Sequence, residues 1–303
     1  MVKKLALCLF ATAALAASAC TIDVQGTGIG QQVTSRELKR IQLTGSPHVN
    51  VRTFDGSIEL RSSDRNEILV EIERRAATLE EARELIVEIS EESGDVVIEA
   101  RRPRRSDDWI HLGGWTSPSV RLTVTVPREL EVQARTGDGT IDAHDLSGRV
   151  ELRTGDGSIR LQRVQGDITA STGDGAIMGR ELQGTVAVTT GDGSVEISGR
   201  FAGLKARTGD GPIGIDAQPG SVMRSSWTIT TGDGGVMLRL PKEFDADVQA
   251  RTGDGSIITS GITVLTPARH DGEPRRNLVG RVGNGGEQLT VRTGDGSINL
   301  VAR

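Results

Sequence analysis

The chain has 303 residues, a formal net charge of −5, three Trp, four Phe and no Tyr. The acidic balance argues against a nucleic-acid-binding protein, because such a protein needs a basic surface to release counterions from phosphates. Aromatic side chains usually supply much of the buried area of a large globular core. Their scarcity therefore favours a thin aliphatic core of the kind found in repeat proteins.

A targeting segment opens the chain. Two lysines precede a short apolar stretch, and small residues then precede Cys20, which is typical of a lipoprotein cleavage site. The alternative is ordinary cleavage after the small residues 17–19. Cys8 lies inside the leader, so Cys20 would be the only cysteine of the mature chain and would have no disulfide partner. We expect a signal peptide over 1–19 and a lipidated Cys20 followed by a flexible tether to residue 35.

This processing predicts an extracytoplasmic protein, anchored in a membrane through its lipid, at the outer membrane or facing the periplasm. No later segment is long and apolar enough to be read as a membrane span.

Residues 36–126 contain short strand-like runs with one helix near 78–85, where Thr78 and Glu81 have the spacing of a capping box. The run from Thr53 to Ile58 is a worn copy of a motif that recurs later. We expect this part to be the N-terminal cap and the first coils of one solenoid, because the ends of a solenoid need covering.

The second part, 127–303, is a regular repeat. The motif Thr-Gly-Asp-Gly begins at residues 136, 154, 172, 190 and 208, with a constant step of 18 residues, and again at residues 231, 252 and 293. Within a repeat, apolar and polar residues alternate, as in Val150–Thr154, which is the period of a β-strand. We expect the worn copy at 282–285 to be a further rung of the same array.

These features predict an all-β protein, a single-stranded right-handed parallel β-helix with coils of about 18 residues and one short helix near its N-terminus. One coil alone buries too few aliphatic side chains to offset its ordering entropy, so the stability must come from stacking.

The chain also resembles a known group of proteins. The words Thr-Gly-Asp-Gly-Ser-Ile-x-Leu at 154–161 and 293–300, and the run from Trp227 to Gly234, are similar to those of bacterial β-strand-repeat proteins of unknown function. Those proteins are often labelled candidate adhesins, and the likeness spans about 36–303. The resemblance implies a surface location and a binding role, and it names no catalytic residues.

The aspartate of each repeat is the first candidate site residue. We expect these aspartates to form a column of turn residues, and they are Asp138, Asp156, Asp174, Asp192, Asp210, Asp233, Asp254 and Asp295. We predict no metal and no cofactor. Bound Ca²⁺ is the alternative, because carboxylates and carbonyl groups suit it, although calcium-binding nonapeptide repeats space their aspartates differently. The repeat threonines share the phase of inward residues, so we expect them to cap the turn.

Two irregular stretches interrupt the repeats. One contains Trp109 and Trp115 and the other Arg275 and Arg276, and these four residues are candidates for binding. The alternative for the tryptophans is a loop that covers the open end of the core.

We find no catalytic constellation, because Asp and Arg recur at every coil whereas an active site is a single cluster. The function expected is therefore a non-enzymatic envelope lipoprotein that acts as an adhesin-like binding or scaffold module. Its partners would be the membrane, through the lipid, and an envelope protein or glycan, but not nucleic acid. The alternatives are a calcium-stabilised adhesive rod and a polysaccharide-active β-helix enzyme, a lyase or hydrolase.

Overall fold

The computed structural model describes residues 16–25, 32–43, 45, 48–92, 94–102, 117–265 and 275–302. Within these residues the protein is all-β, with 24 strands and one helix. The strands follow the alternating pattern of the sequence, and most of their inward residues are aliphatic.

The N-terminal part contains eight strands and the helix. They are β1 (Ala16–Gln25), β2 (Gln32–Gln42), β3 (His48–Thr53), β4 (Ile58–Ser63), β5 (Glu67–Ala76), α1 (Leu79–Glu84), β6 (Ile86–Glu92), β7 (Asp95–Arg101) and β8 (Ser119–Pro127). The predicted helix is confirmed, since the Glu81 N–H donates a hydrogen bond of 3.1 Å to the side chain of Thr78, its N-cap. The Glu81 carboxylate accepts a bond from the Ala77 N–H.

The regular part continues with strands of 4 to 13 residues. They are β9 (Glu131–Arg135), β10 (Ile141–His144), β11 (Ser147–Arg153), β12 (Ile159–Gln162), β13 (Gln165–Ser171), β14 (Ile177–Thr189), β15 (Val195–Arg207), β16 (Ile213–Ala217), β17 (Trp227–Thr230) and β18 (Val236–Leu240). The C-terminal strands are β19 (Ala246–Thr252), β20 (Ile257–Ser260), β21 (Val264–Leu265), β22 (Asn277–Val282), β23 (Gln288–Thr293) and β24 (Ile298–Ala302).

Each Thr-Gly-Asp-Gly motif forms a corner between two strands. We call the strand that precedes the motif the leading strand and the strand that follows it the trailing strand. Leading strands pair in parallel with leading strands of the neighbouring repeats, so that Val150 pairs with Val132 and Ile168. Trailing strands do the same, and Ile159 pairs with Ile141 and Ile177. The paired residues are one repeat of 18 residues apart, so one leading strand, its corner and its trailing strand make one layer of a stack.

The inward side chains of both sets of strands share one hydrophobic core. Val150 and Leu152 from a leading strand, and Ile159 and Leu161 from the next trailing strand, are at most 2% exposed. They belong to a single cluster that runs from Ile41 to Leu300. Full burial of each such side chain contributes about 1.5–3 kcal/mol, and the contribution depends on having a layer on each side.

The N-terminal end of the stack is covered by antiparallel strands. β5 and then β2 and β1 extend the trailing strands beyond β8, and β6 pairs antiparallel with β7 beside the leading strands. Residues 20–25 and 32–35 therefore lie in paired strands, which differs from the flexible tether expected there. β2 is held because Val33 and Ile41 face the core and its backbone is paired with β5 from Val33 to Gln42.

The C-terminal layers do not stack in chain order. β23 pairs in parallel with both β17 and β19, and β24 with both β18 and β20, so the last repeat lies between the two that precede it. The expectation that 282–285 forms a further rung is wrong. β22 runs antiparallel to β19, and Val282–Gly285 is the turn after it. Asn284 holds this turn by bonding to the Asp245 carboxylate through its backbone and side-chain N–H groups.

Candidate functional site

The corner threonines join the layers. In seven of the eight corners the threonine hydroxyl lies 2.7–3.4 Å from two glycine carbonyl oxygens of the neighbouring corner, as Thr190 does from Gly173 and Gly175. The Thr136 hydroxyl donates to one such oxygen, that of Gly56, at 2.8 Å. The threonines are 2–8% exposed, which confirms that they point inward and cap the turn. The Gly191 N–H also donates to the Gly173 carbonyl oxygen. The threonines therefore bind the stack together, and their hydroxyls are not available to a ligand.

The corner aspartates lie on the outside of the same stack. All eight are exposed, and successive corners are hydrogen-bonded to one another from Gly137 to Gly294. The Asp254 carboxylate forms an ion pair with the Arg276 guanidinium, at an oxygen-to-nitrogen distance of 3.2 Å. This ion pair brings the irregular stretch that contains Arg276 into contact with the repeat. Among the residues that the structure describes, no three His, Cys, Asp or Glu side chains are grouped so that they could hold a metal ion.

The bend between a trailing strand and the next leading strand carries an ion pair. Asp145 and Arg163 occupy equivalent positions in successive layers, and both have positive φ, at 61° and 52°. The guanidinium of Arg163 donates two hydrogen bonds to the Asp145 carboxylate, at 2.6 and 2.9 Å. The bonds from Arg163 hold the pKa of Asp145 below its usual range, against a smaller opposing effect of burial.

The Asp145–Arg163 pair predicts a pH-dependent contribution to stability. Because the pKa of Asp145 is lowered on folding, its stabilising contribution is present above the ordinary Asp range near ~3.9 and is lost as the pH falls through the native value. Asp145→Asn, which keeps a residue tolerant of positive φ, should lower the free energy of unfolding at pH 7 by about 1 kcal/mol or less. The difference from wild type should shrink by pH 3 in urea titrations.

The matched control for this prediction is Asp167→Asn, since Asp167 is exposed on β13 and belongs to no ion pair among the described residues. This variant should follow the wild-type pH dependence. A constant difference between Asp145→Asn and wild type from pH 7 to pH 3 would contradict the assignment.

A groove of about 470 Å³ interrupts the outer surface of the trailing strands. Its floor is at Gly214, which has no side chain where the paired residues on the neighbouring strands are Glu196 and Met237. Met178 and Met237 border the groove, and Arg180 and Arg239 also line it. The groove is unlike the periodic surface around it, and nothing in the repeat word predicted it. The available signal was the sequence Gly-Pro-Ile-Gly at 211–214, because four of the other seven repeats carry a serine in place of Pro212 and all seven carry a larger residue in place of Gly214.

The remaining candidates that the structure describes lie at opposite ends of the stack. Cys20 lies in β1, where its backbone pairs with that of Glu37. Trp109 and Trp115 lie outside the described residues. The backbone carbonyl groups of Arg275 and Arg276 accept hydrogen bonds from Ile257 and Thr252, so this stretch packs over the last corner of the stack.

Comparisons with known proteins place the chain in a family. The family described as Toastrack DUF4097 matches residues 17–301. The chain belongs to the Toastrack DUF4097 family. This membership confirms the resemblance to a β-repeat family of unknown function. Among curated proteins, none matches the chain.

Three solved structures are similar to the chain at low identity. A candidate lipid-binding protein from Parabacteroides distasonis is 12% identical, with a TM-score of 0.50, over 88% of this chain and 96% of that one. A candidate cell adhesion protein from Clostridium sporogenes is 12% identical, with a TM-score of 0.31, over 89% and 100%. A candidate adhesin from Bacteroides fragilis is 11% identical, with a TM-score of 0.41, over 88% and 97%. At 12% identity the likeness to the Parabacteroides distasonis protein concerns the fold alone.

No helix of the described chain combines the length and apolarity that crossing a membrane requires.

Proposed function

We propose that this protein is a non-enzymatic lipoprotein of the bacterial cell envelope that acts as an adhesin-like binding or scaffold module. The observation that carries the proposal is that the chemistry-bearing side chains of the repeat recur once per layer. The corner threonines are buried in contacts between layers, and the aspartates are exposed at intervals along the stack. A catalytic site instead requires different groups to converge at one place.

The scaffold we propose is a right-handed parallel β-helix. The parallel pairing at intervals of one repeat supports coils of about 18 residues. The right hand is supported by the general preference of parallel strand connections for that hand. Such a rod offers long, flat outer faces, which suit binding over an extended surface.

The proposed anchor is a lipid on Cys20. Cleavage before Cys20 would leave Cys20–Gln25 paired with β2, at the N-terminal edge of the trailing strands. The stack would then begin at the membrane, and its C-terminal layers would lie farthest from it.

The anchor is tested by Cys20→Ala, with Cys8→Ala in the leader as the matched control. Because the control keeps the lipid attachment site, it should stay in the membrane fraction, whereas Cys20→Ala should move to the soluble fraction. Retention of Cys20→Ala in the membrane would refute the anchor. Saturable binding of the purified protein to isolated cell envelopes tests the binding role, and absence of that binding would refute it.

Two alternatives have their own tests. A calcium-stabilised rod requires a thermal midpoint that falls when a chelator is added, and an unchanged midpoint excludes it. A polysaccharide-active enzyme would use the groove at Gly214, which contains Glu196 and Asp216. Hydrolysis or elimination products from envelope glycans that disappear in Glu196→Gln would favour the enzyme over the binding module.

A further inference from the structure

A row of arginines runs along the outer surface of the leading strands. Each one immediately precedes a corner threonine. In the first layers, Arg52, Arg135 and Arg153 lie on neighbouring strands in register. Glu151 neutralises part of this row, since its carboxylate lies 2.9 Å from the Arg153 guanidinium and 3.5 Å from that of Arg135. Arg135 and Arg153 therefore share a carboxylate of the same face, and Arg52 donates a hydrogen bond to the Asn50 side chain.

The C-terminal part of the same row has no such balance. On adjacent parallel strands, Arg207 lies beside Thr230, Thr230 beside Arg292, and Arg292 beside Arg251. The position equivalent to Glu151, two residues before each of these, holds Lys205 and otherwise the neutral residues Thr228, Thr290 and Gln249. We call Lys205, Arg207, Arg251 and Arg292 the cationic patch.

The side chains of the cationic patch are exposed. Among the described residues, none of them forms an ion pair or a side-chain hydrogen bond, in contrast to the N-terminal arginines. The nearest carboxylate on the same strands is that of Asp247, which pairs with Arg281. The corner aspartates of these layers border the patch beyond the strand ends, and Asp254 among them pairs with Arg276.

The arrangement is unfavourable for the protein alone. Arg251 and Arg292 are paired residues on adjacent parallel strands, and like charges in that position repel. A purely structural row would carry a carboxylate, as the first layers do with Glu151. The small residues Thr228, Thr230 and Thr290 leave the space between the cations flat and supply hydroxyl groups. This face is suited to an anionic ligand that lies across the strands.

We propose that the cationic patch binds a linear anionic polysaccharide that carries a carboxylate on its sugars. Arginine binds carboxylates through paired hydrogen bonds, and the threonine hydroxyls can bond to sugar hydroxyls. This inference rests on the proposed binding function and names the site and the ligand class. A duplex nucleic acid is disfavoured by the net charge of −5.

The position of the patch disfavours lipid headgroups of the anchoring membrane. β15 is eight strand steps from β1 along the trailing strands, through β2, β5, β8, β4, β10, β12 and β14. At ~4.8 Å per step, the patch begins roughly 40 Å from the proposed lipid.

The test uses the full-length protein in detergent and immobilised polygalacturonate as the probe, with neutral dextran as the control polymer. We compare wild type, the double variant Arg251→Gln/Arg292→Gln and Arg153→Gln, which removes the arginine from the same repeat position in a balanced layer. Wild type and Arg153→Gln should bind polygalacturonate alike, with an affinity that falls as salt rises. The double variant should bind about a hundredfold more weakly, at about tenfold per arginine. Its thermal midpoint should not fall, because repulsion has been removed.

Equal binding by the double variant and Arg153→Gln would overturn the inference. So would binding to vesicles that contain phosphatidylglycerol without binding to polygalacturonate, or equal binding to dextran. A protein that binds isolated envelopes but not polygalacturonate would overturn this inference and leave the proposed binding function standing. A protein that binds neither would overturn both.

Discussion

Gly157→Ala is expected to lower the free energy of unfolding by about 3 kcal/mol, which is the upper end of the cost of inserting a carbon into a packed interior. A Cβ at Gly157 would overlap the carbonyl oxygen of Gly139 in the neighbouring layer and lie 2.8 Å from the carbonyl oxygen of Asp138. These atoms are backbone, and the next corner, at Gly175, is packed against Gly157 in the same way. The backbone of this corner therefore cannot shift away from the added Cβ, because it is packed against a corner on each side.

The control for this prediction is Gly214→Ala. A Cβ at Gly214 would meet its nearest atom at 3.9 Å, so the strand should accept it, with a gain of roughly 0.5 kcal/mol from the reduced freedom of the unfolded chain. Urea unfolding followed by circular dichroism measures both variants. Midpoints that agree for Gly157→Ala and wild type would show that the corners are not in close contact.

Trp227→Ala is expected to cost about 3–5 kcal/mol, the usual range for removing a buried Trp. Trp227 is fully buried, and its ring lies 6.0 Å from that of Phe201 in an edge-to-face arrangement and 5.1 Å from that of Phe244. It lies on β17, where the last repeat of the chain is inserted beside it. The loss would therefore leave a cavity in the middle of the stack.

Trp227→Phe removes the indole N–H and keeps an aromatic ring in the same place. The indole N–H of Trp227 is buried without a hydrogen-bond partner among the described residues, so removing it carries no penalty, and this variant should lose less stability than Trp227→Ala. The fluorescence that Trp227→Phe removes from the wild-type spectrum should be blue-shifted and poorly quenched by acrylamide. Equal stability of the alanine variant and wild type, or efficient quenching of that component, would contradict the burial of Trp227 in the core.

The local features of the fold could be predicted from the sequence, because each depends on neighbours along the chain. The helix at Leu79–Glu84 follows from its cap at Thr78. The inward phase of the corner threonines follows from alternation with residues such as Val132 and Ala134, both of which are buried. The pairing of Ile141 with Ile159 follows from the constant step of 18 residues.

The order of the layers could not be predicted, because the corners are chemically equivalent. Thr293 bonds to Gly232 and Gly234 in the same way as Thr252 bonds to Gly294 and Gly296. Any corner can therefore stack on any other. In the structure the antiparallel strand β22 covers the outer side of β19. The last repeat is therefore inserted between two earlier repeats and does not stack on the outer side of β19.

The candidate sites also differ in whether they depend on local sequence or on contacts between repeats. The exposed column of aspartates could be foreseen, since each belongs to its own turn. The groove at Gly214 left only the residues 211–214 as its signal. The cationic patch could not be foreseen, because it depends on which residues of different repeats become neighbours. Arg251 and Arg292 are 41 residues apart in the chain and become paired only through the insertion of the last repeat.

Period and alternation along the chain are sufficient to predict an all-β protein, the stacking of equivalent residues, and which face of each strand is buried. Periodicity is a local property, and alternation with aliphatic residues is sufficient to assign it. The order of the layers, the covering of the two ends, and the places where charges lack a counter-charge are seen only in the folded stack. Those features depend on contacts between strands whose corners are interchangeable, and the free energy of the whole stack selects among them.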